Sequence, residues 1–319
     1  YEVPERLLPS GEVLTPLDEA AVRQVAKALA ESDIQAVGVC FLHSFANPSH
    51  ERRTREILAE ALPGAAISIS SEVAPEIREY QRMSTTVANA YVQPIAESYV
   101  RRLHADLASA GYARPLYMML SSGGIVTHET AARFPIRLIE SGPAAGALAT
   151  VTLGDRIGRK DLIAFDMGGT TAKATIVENG ALTTSKEFEV ARVRRFQKGS
   201  GLPLQVPVIE MIEIGAGGGS IAHLGDMGLL KVGPESAGAD PGPACYGRGG
   251  DQPTVTDADL LLGYLDPDFF LGGAMSLDVG AARSAMDRLA RRLGVEPDRL
   301  VRGVSVSYTH LTLPTILRV

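Results

Sequence analysis

A carboxylate, two glycines and two hydroxyls fall within one short stretch: Asp166, Gly168, Gly169, Thr170 and Thr171. Residues 162–165 before them read Leu-Ile-Ala-Phe, an apolar run of the kind that forms a buried strand. Asp166 falls where that strand should end. The glycines let the backbone turn tightly and approach a ligand with no Cβ in the way. The threonines add hydroxyls. Residues 172–177 then read Ala-Lys-Ala-Thr-Ile-Val and turn at Asn179-Gly180, a strong hairpin signal. The glycines are therefore expected to join strand to strand.

That connection selects among phosphate binders. A Walker loop needs Gly-Lys-Ser/Thr opening a helix, and a dinucleotide fold needs G-x-G-x-x-G in the same place. Neither is present. An Asp-x-Gly-Gly-Thr hairpin looks like the phosphate-binding turn of the actin-like ATPase superfamily. There, backbone N–H groups hold phosphate oxygens and the Asp works through Mg2+ or its waters. An ordinary Gly-Gly hairpin with a surface Asp would carry the same residues. A second glycine loop, Gly215-Ala216-Gly217-Gly218-Gly219-Ser220, follows a strand expected over 209–214. Beside the first loop it looks like the other wall of a nucleotide cleft.

Three further stretches carry candidate chemistry. Glu140-Ser141-Gly142-Pro143 reads as a helix start, with Ser141 able to cap and Pro143 in the first turn. Free N–H groups there would favour an anion; a plain capped helix fits the same residues. Residues 239–248, Ala-Asp-Pro-Gly-Pro-Ala-Cys-Tyr-Gly-Arg, are too rich in Pro and Gly for regular structure. Cys245 within them has no base beside it in sequence, so a structural role is favoured. A helix should start near 256 with Thr256 as cap. His223, one of six histidines, reads as a strand residue and not as a ligand.

The elements expected to position these residues alternate. A helix is predicted over 16–31, from apolar Leu17, Ala21, Val22, Val25, Ala26 and Leu29, with Thr15 as N-cap. A strand over 36–42, a helix over 49–62 and a strand over 66–70 follow, which implies a parallel α/β sheet. The charged run 72–82 suits either a solvated helix face or a helix start facing a cleft. Residues 84–110 read as one long helix or two joined at Pro94. A strand over 115–120 runs into Ser121-Ser122-Gly123-Gly124, and loops at the carboxyl ends of parallel strands are the usual ligand sites. A helix over 129–134 and a basic amphipathic helix over 280–293 complete the set.

Bulk properties narrow the class. The 319 residues suffice for about two domains. Net charge is −6 with both signs interspersed, so no basic stripe points to nucleic acid. No apolar run is long enough to span a membrane, and the first residues lack the apolar core of a signal peptide. Two cysteines, Cys40 and Cys245, lie far apart and make no zinc spacing; a reducing, cytoplasmic setting fits them. Glycines concentrate in 199–273, which should be turn-rich. The chain opens on Tyr1 with a strand expected over 3–8, which reads as a cut through a longer protein. Residues 306–315, Val-Ser-Tyr-Thr-His-Leu-Thr-Leu-Pro-Thr, look like a translated sequencing adapter, so the segment 306–319 is expected to be foreign.

Residues 72–89, 140–143, 165–170, 215–220, 236–247 and 253–257 occur in one order, and together they resemble the hydantoinase A/5-oxoprolinase family. That family also includes the ATP-binding subunits of acetone and acetophenone carboxylases. The resemblance covers roughly 2–304. It implies an α/β actin-like ATPase (ribonuclease H-like) fold, with two subdomains around a nucleotide cleft and the first incomplete. It implies ATP with Mg2+, and the opening of a cyclic amide or imide of the hydantoin or 5-oxoproline type. ATP would phosphorylate the amide oxygen, so that water can attack the carbonyl carbon.

By the same pattern Asp166 would act near Mg2+, and Gly168, Gly169, Thr170 and Thr171 would hold phosphate. Gly217, Gly218 and Gly219 would face the nucleotide, and Asp257 is a second catalytic candidate in the cleft. The resemblance divides the chain into an N-terminal region over 1–138 and an ATPase-like domain over 139–305. A hydantoinase B-type subunit and an oligomer are expected as partners. Two features depart from the pattern. The chain begins after an earlier Asp-Gly-Gly-Thr-type motif, and Lys173 stands where a carboxylate is common. The carboxylase ATP-binding subunit, a sugar kinase, and a fragment inactive by itself are the competing readings.

Overall fold

The computed structural model describes residues 1–191, 193, 199–225 and 228–316, with the backbone course alone for 308–316. In chain order the first elements are β1 (Arg6–Leu7), β2 (Val13–Thr15), α1 (Glu19–Ala30), β3 (Ala36–Val39), α2 (Ser49–Ala61), β4 (Ala66–Ile69), α3 (Ser70–Val73) and α4 (Glu79–Ser109). Then come β5 (Tyr117–Met119), β6 (Ile125–Thr127), α5 (His128–Arg133), α6 (Ser141–Ile157), β7 (Leu162–Met167), β8 (Ala172–Glu178), β9 (Ala181–Leu182) and β10 (Thr184–Ser185). The last are β11 (Phe188–Val190), β12 (Leu202–Leu204), β13 (Val208–Ile209), β14 (Ile212–Ile214), β15 (Ser220–Leu224), β16 (Leu230–Ser236), α7 (Val255–Leu261), α8 (Val279–Leu293) and α9 (Pro297–Ile316). The fold is mixed α/β. Among the described residues no helix is long and apolar enough to cross a membrane.

By packing, the chain forms two compact units, Tyr1–Ala149 with Leu182–Glu210, and Thr150–Ala181 with Met211–Val319. The expected 138/139 divide follows family regions; the units instead break within α6, and 182–210 returns to the first.

In the first unit β3 and β4 pair in parallel, Ala36 against Ala66 through Val39 against Ile69, as the helix–strand alternation predicted. Ala26, Val39, Leu58, Leu62 and Ile69 form one core between α1, α2 and these strands. The cap of α1 is Asp18, whose carboxylate accepts the Ala21 N–H at 3.0 Å. Thr15, the expected cap, ends β2 instead, because its carbonyl-side neighbours Pro16 and Leu17 remain outside the helix. Residues 79–109 make a single helix that runs through Pro94. Strand β5 pairs antiparallel with β6, so residues 121–124 form a hairpin turn and not a loop beyond a parallel strand. There the buried Ser121 hydroxyl bonds the carbonyls of Arg137 and Ile139, which ties the turn down.

The charged run 72–82 leads into α4 with residues 75–80 exposed, but Arg82 at its end has no exposed surface. Its Nη2 donates to the Phe41 carbonyl at 2.6 Å, its Nη1 to the Glu76 carbonyl at 3.1 Å, and its Nε to Ser70 Oγ at 3.1 Å. Glu51 is buried on the other side of Ser70. Its carboxylate accepts from the Ser70 hydroxyl at 2.6 Å, the Phe41 N–H at 2.8 Å and the Ser71 N–H at 2.8 Å. Two opposite charges thus share one hydroxyl and pin the loops after β3 and β4 to each other. The returning segment supplies Leu204, Val206 and Val208, which pack on Val73 and Ile136. Within it β10 pairs β13 and β11 pairs β12, both antiparallel.

In the second unit β14, β8 and β7 form a sheet in that order, with β9 also paired to β8. Asn179 and Gly180 both have positive φ, at 53° and 77°, as a tight hairpin turn between β8 and β9 requires. Strands β15 and β16 form a separate hairpin. Its residues Ala222 and Val232 join Val255, Ala258, Met286, Leu289, Leu300 and Val304 in one core with α7, α8 and α9. The cap of α7 is Thr254, not the expected Thr256.

Asp259 lies on α7, and burial pushes its carboxyl up to about 6 from an ordinary 3.8. A raised folded value means that the folded state holds the proton more tightly. Its contribution to stability is fully present below about 3.8 and is lost as pH rises through about 6. Asp259→Asn is therefore expected to melt higher than the parent at neutral pH, with the gap closing below about pH 4. Melting curves across that range would show it; a constant gap would mean that burial does not control this carboxyl.

Candidate functional site

The apolar run 162–165 becomes the first part of β7, and the glycines turn it antiparallel into β8 as predicted, but the strand is not buried as expected: Ile163 and Phe165 are exposed and only Ala164 of the run is buried. In the register Asp166 stands opposite Lys173 and Met167 opposite Ala172. Lys173 in turn stands opposite Glu213 of β14. Directly paired residues share a face of the sheet, so a carboxylate, an ammonium and a second carboxylate line up across three strands.

The turn itself is closed by one bond, from the Gly168 N–H to the Thr171 carbonyl at 2.8 Å. Among the described residues the N–H groups of Gly169, Thr170 and Thr171 have no internal partner, nor have the two threonine hydroxyls. Gly169 has no positive φ, and a Cβ built there meets nothing within 4 Å. Nothing inside the fold therefore requires glycine at this position. The space off Gly169 is open, in the same turn as the unpaired N–H groups.

The second glycine loop is different. A Cβ on Gly217 would stand 2.6 Å from the Gly168 carbonyl oxygen and 2.7 Å from both Gly169 C and Thr170 N. Glycine is required here because two backbones cross in contact. The Gly218 N–H donates to the Gly168 carbonyl at 3.1 Å and the Gly219 N–H to the Gly169 carbonyl at 2.6 Å. The Gly217 N–H is held by Ser220 Oγ at 2.9 Å. All three amides are thus taken. Gly217, Gly218 and Gly219 brace the first turn and have no N–H group left over for a ligand.

Further residues brace the brace. The Thr256 N–H and hydroxyl both donate to the Gly218 carbonyl at 2.8 Å, and the Ala237 N–H donates to the Gly219 carbonyl at 2.8 Å. Ser220 and Thr256 were not singled out from sequence for this work. A hydroxyl ending a glycine run was the one available sign.

Asp257 is fully buried. Its Oδ2 accepts the Thr254 N–H at 2.9 Å, the Thr254 hydroxyl at 2.8 Å and the Ala244 N–H at 3.2 Å. Its Oδ1 accepts the Cys245 N–H at 2.8 Å. With four donors and no exposed surface, this carboxylate caps α7 and ties down the 239–248 loop. It is a positioning residue, and the catalytic role expected for it does not fit that geometry. Burial pushes the Cys245 thiol far above its usual range, and the Asp257 charge adds to the shift. Cys245 is therefore a core residue and not a nucleophile. Among the described residues no group of three or more His, Cys, Asp or Glu side chains could hold a metal ion.

The sequence pattern Hydantoinase/oxoprolinase matches residues 82–312, and that of the Hydantoinase/oxoprolinase N-terminal region matches residues 1–62. The chain belongs to the hydantoinase/oxoprolinase family. The family match extends beyond residue 305, into the segment set apart by its likeness to an adapter.

Among family relatives, the chain is 39% identical over 314 residues to the caprolactamase subunit alpha of Pseudomonas jessenii, covering 98% of this chain and 44% of that one. The crystal structure of the ATP-dependent caprolactamase of that organism aligns with a TM-score of 0.69 at 37% identity, over 99% of this chain and 45% of that chain. The 5-oxoprolinase of Saccharomyces cerevisiae is 37% identical over 266 residues, 82% of this chain and 19% of that protein. A nucleotide-free acetone carboxylase structure, from work on ATP-dependent acetone carboxylation, aligns with a TM-score of 0.76 at 29% identity, over 95% of this chain and 42% of that chain. The chain thus spans less than half the length of each of these relatives.

Proposed function

We propose that this chain is the ATP-handling part of an enzyme that opens a cyclic amide or imide, a lactam, hydantoin or 5-oxoproline. The observation that carries the reading is the β7–β8 turn: three unpartnered N–H groups beside a glycine that the fold itself does not need. Such a turn suits phosphate oxygens. We read the surrounding fold as of the actin-like ATPase kind. Asp166 at the end of β7 fits a magnesium ion shared between one carboxylate, phosphate oxygens and water, the usual way this ion is held. That arrangement needs no cluster of protein carboxylates.

An amide is a poor electrophile because nitrogen donates into the carbonyl. Phosphoryl transfer from ATP to the amide oxygen, with ADP leaving, offsets that donation; one water then adds at carbon, the ring C–N bond breaks to leave an amine and an acyl phosphate, and a second water cleaves the acyl phosphate to carboxylate and phosphate. In this reading Gly168, Gly169, Thr170 and Thr171 hold phosphate and Asp166 orients the metal. Gly217, Gly218, Gly219, Thr256 and Asp257 keep the turn in shape. The relatives named as subunits favour a second, B-type chain as partner.

The ATP-binding subunit of a carboxylase is the second reading, favoured by the higher TM-score with acetone carboxylase. Phosphate release from ATP by the intact enzyme separates the two. Caprolactam, 5-oxoproline or a hydantoin should stimulate it, and Asp166→Asn should lower the stimulated rate roughly 100-fold. Stimulation only by a ketone with bicarbonate would move the chain to the carboxylases. Unchanged turnover in Asp166→Asn would remove the turn from the site.

A further inference from the structure

Three guanidinium groups of the first unit meet around a single carboxylate. Arg55 on α2 donates from Nη1 to Glu72 Oε2 at 2.8 Å, and Arg133, the last residue of α5, donates from Nη2 to the same oxygen. Arg137, in the 3-10 turn Pro135–Leu138, donates from Nη2 to the Glu72 carbonyl at 3.0 Å and to the Val73 carbonyl at 3.1 Å. The ring of Phe134 supports the last two: the guanidinium carbon of Arg133 lies 5.2 Å from its centre and that of Arg137 4.6 Å. Among the described residues, Glu72 is the one carboxylate within 4.0 Å of any of these arginines. Three positive charges thus share one negative charge.

We propose that Arg55, Arg133 and Arg137 form a binding site for a small dianionic oxyanion, inorganic phosphate or a dicarboxylate. Such a ligand supplies the two negative charges that Glu72 leaves missing. Three observations favour a ligand over a brace that only holds α2, α3 and α5 together. First, a brace would balance its charges, because a charge taken out of water without a partner is costly. Secondly, Arg137 is half-buried, burial pushes its pKa down, and no carboxylate acts to restore it. Its Nε and Nη1 have no acceptor in the protein, and neither is sealed from solvent. Thirdly, the cluster is open to a ligand, since the Arg133 side chain is 52% exposed. The guanidinium fork matches the oxygens of carboxylate and phosphate, and Glu72 shows two of these arginines already gripping a carboxylate. None of these residues belongs to the β7–β8 turn.

Calorimetric titration of the whole chain at low chloride tests this, with inorganic phosphate and succinate as the probes. At least one of the two is expected to bind with a dissociation constant of about 1 mM or lower. Arg133→Gln and, separately, Arg137→Gln should each weaken that binding about tenfold or more. Arg133→Gln is the safer variant for folding, because half of that side chain is already in water. Glu72→Gln separates a ligand site from a brace. In a brace the change only destabilises. In a ligand site it leaves three guanidiniums for the anion, so the probe should bind more tightly and raise the melting temperature of Glu72→Gln more than that of the parent. Arg101→Gln, exposed on α4 and paired with Glu97, should leave the affinity unchanged. Neither probe binding more strongly than chloride overturns the proposal. So does binding that survives both arginine variants, which would put the anion elsewhere, the β7–β8 turn included. No nucleotide enters the measurement, so failure of the ATP reading would leave the site standing.

Discussion

Gly217→Ala is expected to lower the melting temperature by about 6 °C and to weaken nucleotide binding at least tenfold. The added methyl would stand 2.6–2.7 Å from backbone atoms of Gly168, Gly169 and Thr170. Backbone atoms cannot rotate aside as a side chain would, so two loops must separate. Overpacking of this kind costs about 1–3 kcal/mol. Separation also lengthens the bonds from the Gly218 and Gly219 amides, and the β7–β8 turn loses its brace. Gly169→Ala is the matched control with the opposite signature. Its methyl meets nothing in the protein, so stability should hold while nucleotide affinity falls. Calorimetry of both variants with ATP reads the two quantities separately. If Gly169→Ala binds ATP as the parent does, the outer side of this turn is not where phosphate sits.

Arg82→Met is expected to cost about 3–5 kcal/mol, the range for breaking a buried charge pair by removing one partner. The loss has two parts. The Phe41 and Glu76 carbonyls would lose the guanidinium, leaving Phe41 only the long 3.5 Å bond from the Ser44 N–H, and Glu51 would keep a buried negative charge with its counter-charge gone. The shared Ser70 hydroxyl would still serve Glu51, so the damage should be partly repaired by Glu51→Gln in the same chain. Urea titration of the parent, both singles and the double variant gives the coupling. A single-variant loss under about 1 kcal/mol would mean that water reaches this network and screens it.

Much of the fold could be read from the chain because it rests on local signals. The strand–turn–strand around Gly168, the Asn179-Gly180 hairpin and the parallel pair β3–β4 all follow from apolar runs and turn residues within a few positions. The capping box of Thr254 and Asp257 is equally local, but Thr254 and Thr256 both stand three residues before a carboxylate, Asp257 and Asp259, so the spacing does not choose between them. Other features depend on distant partners. Glu51, Ser70 and Arg82 lie far apart in sequence, and nothing in a charged run says that one arginine turns inward. The orientation of α4, with Arg82, Asn89 and Gln93 buried and Tyr91 and Ile95 exposed, is hidden for a related reason, since residues 84–93 mix polar and apolar side chains without saying which set faces the protein. The two glycine loops show the limit most clearly. Both look alike as sequence, yet only contact distances reveal that one is glycine for the sake of its neighbour and the other is not.

The return of segment Leu182–Glu210 to the first unit sets an order on biosynthesis. A growing chain emerges from the ribosome at about 5–20 residues per second. When residue 149 has emerged, Val73 and Ile136 still lack Leu204, Val206 and Val208, so that core stays open while the β7–β8 hairpin is made. The hairpin must then wait for β14 and for Gly217, Gly218 and Gly219 before its turn is held. The first unit therefore closes late, and the β7–β8 turn takes its final shape only after the first unit has its last strand.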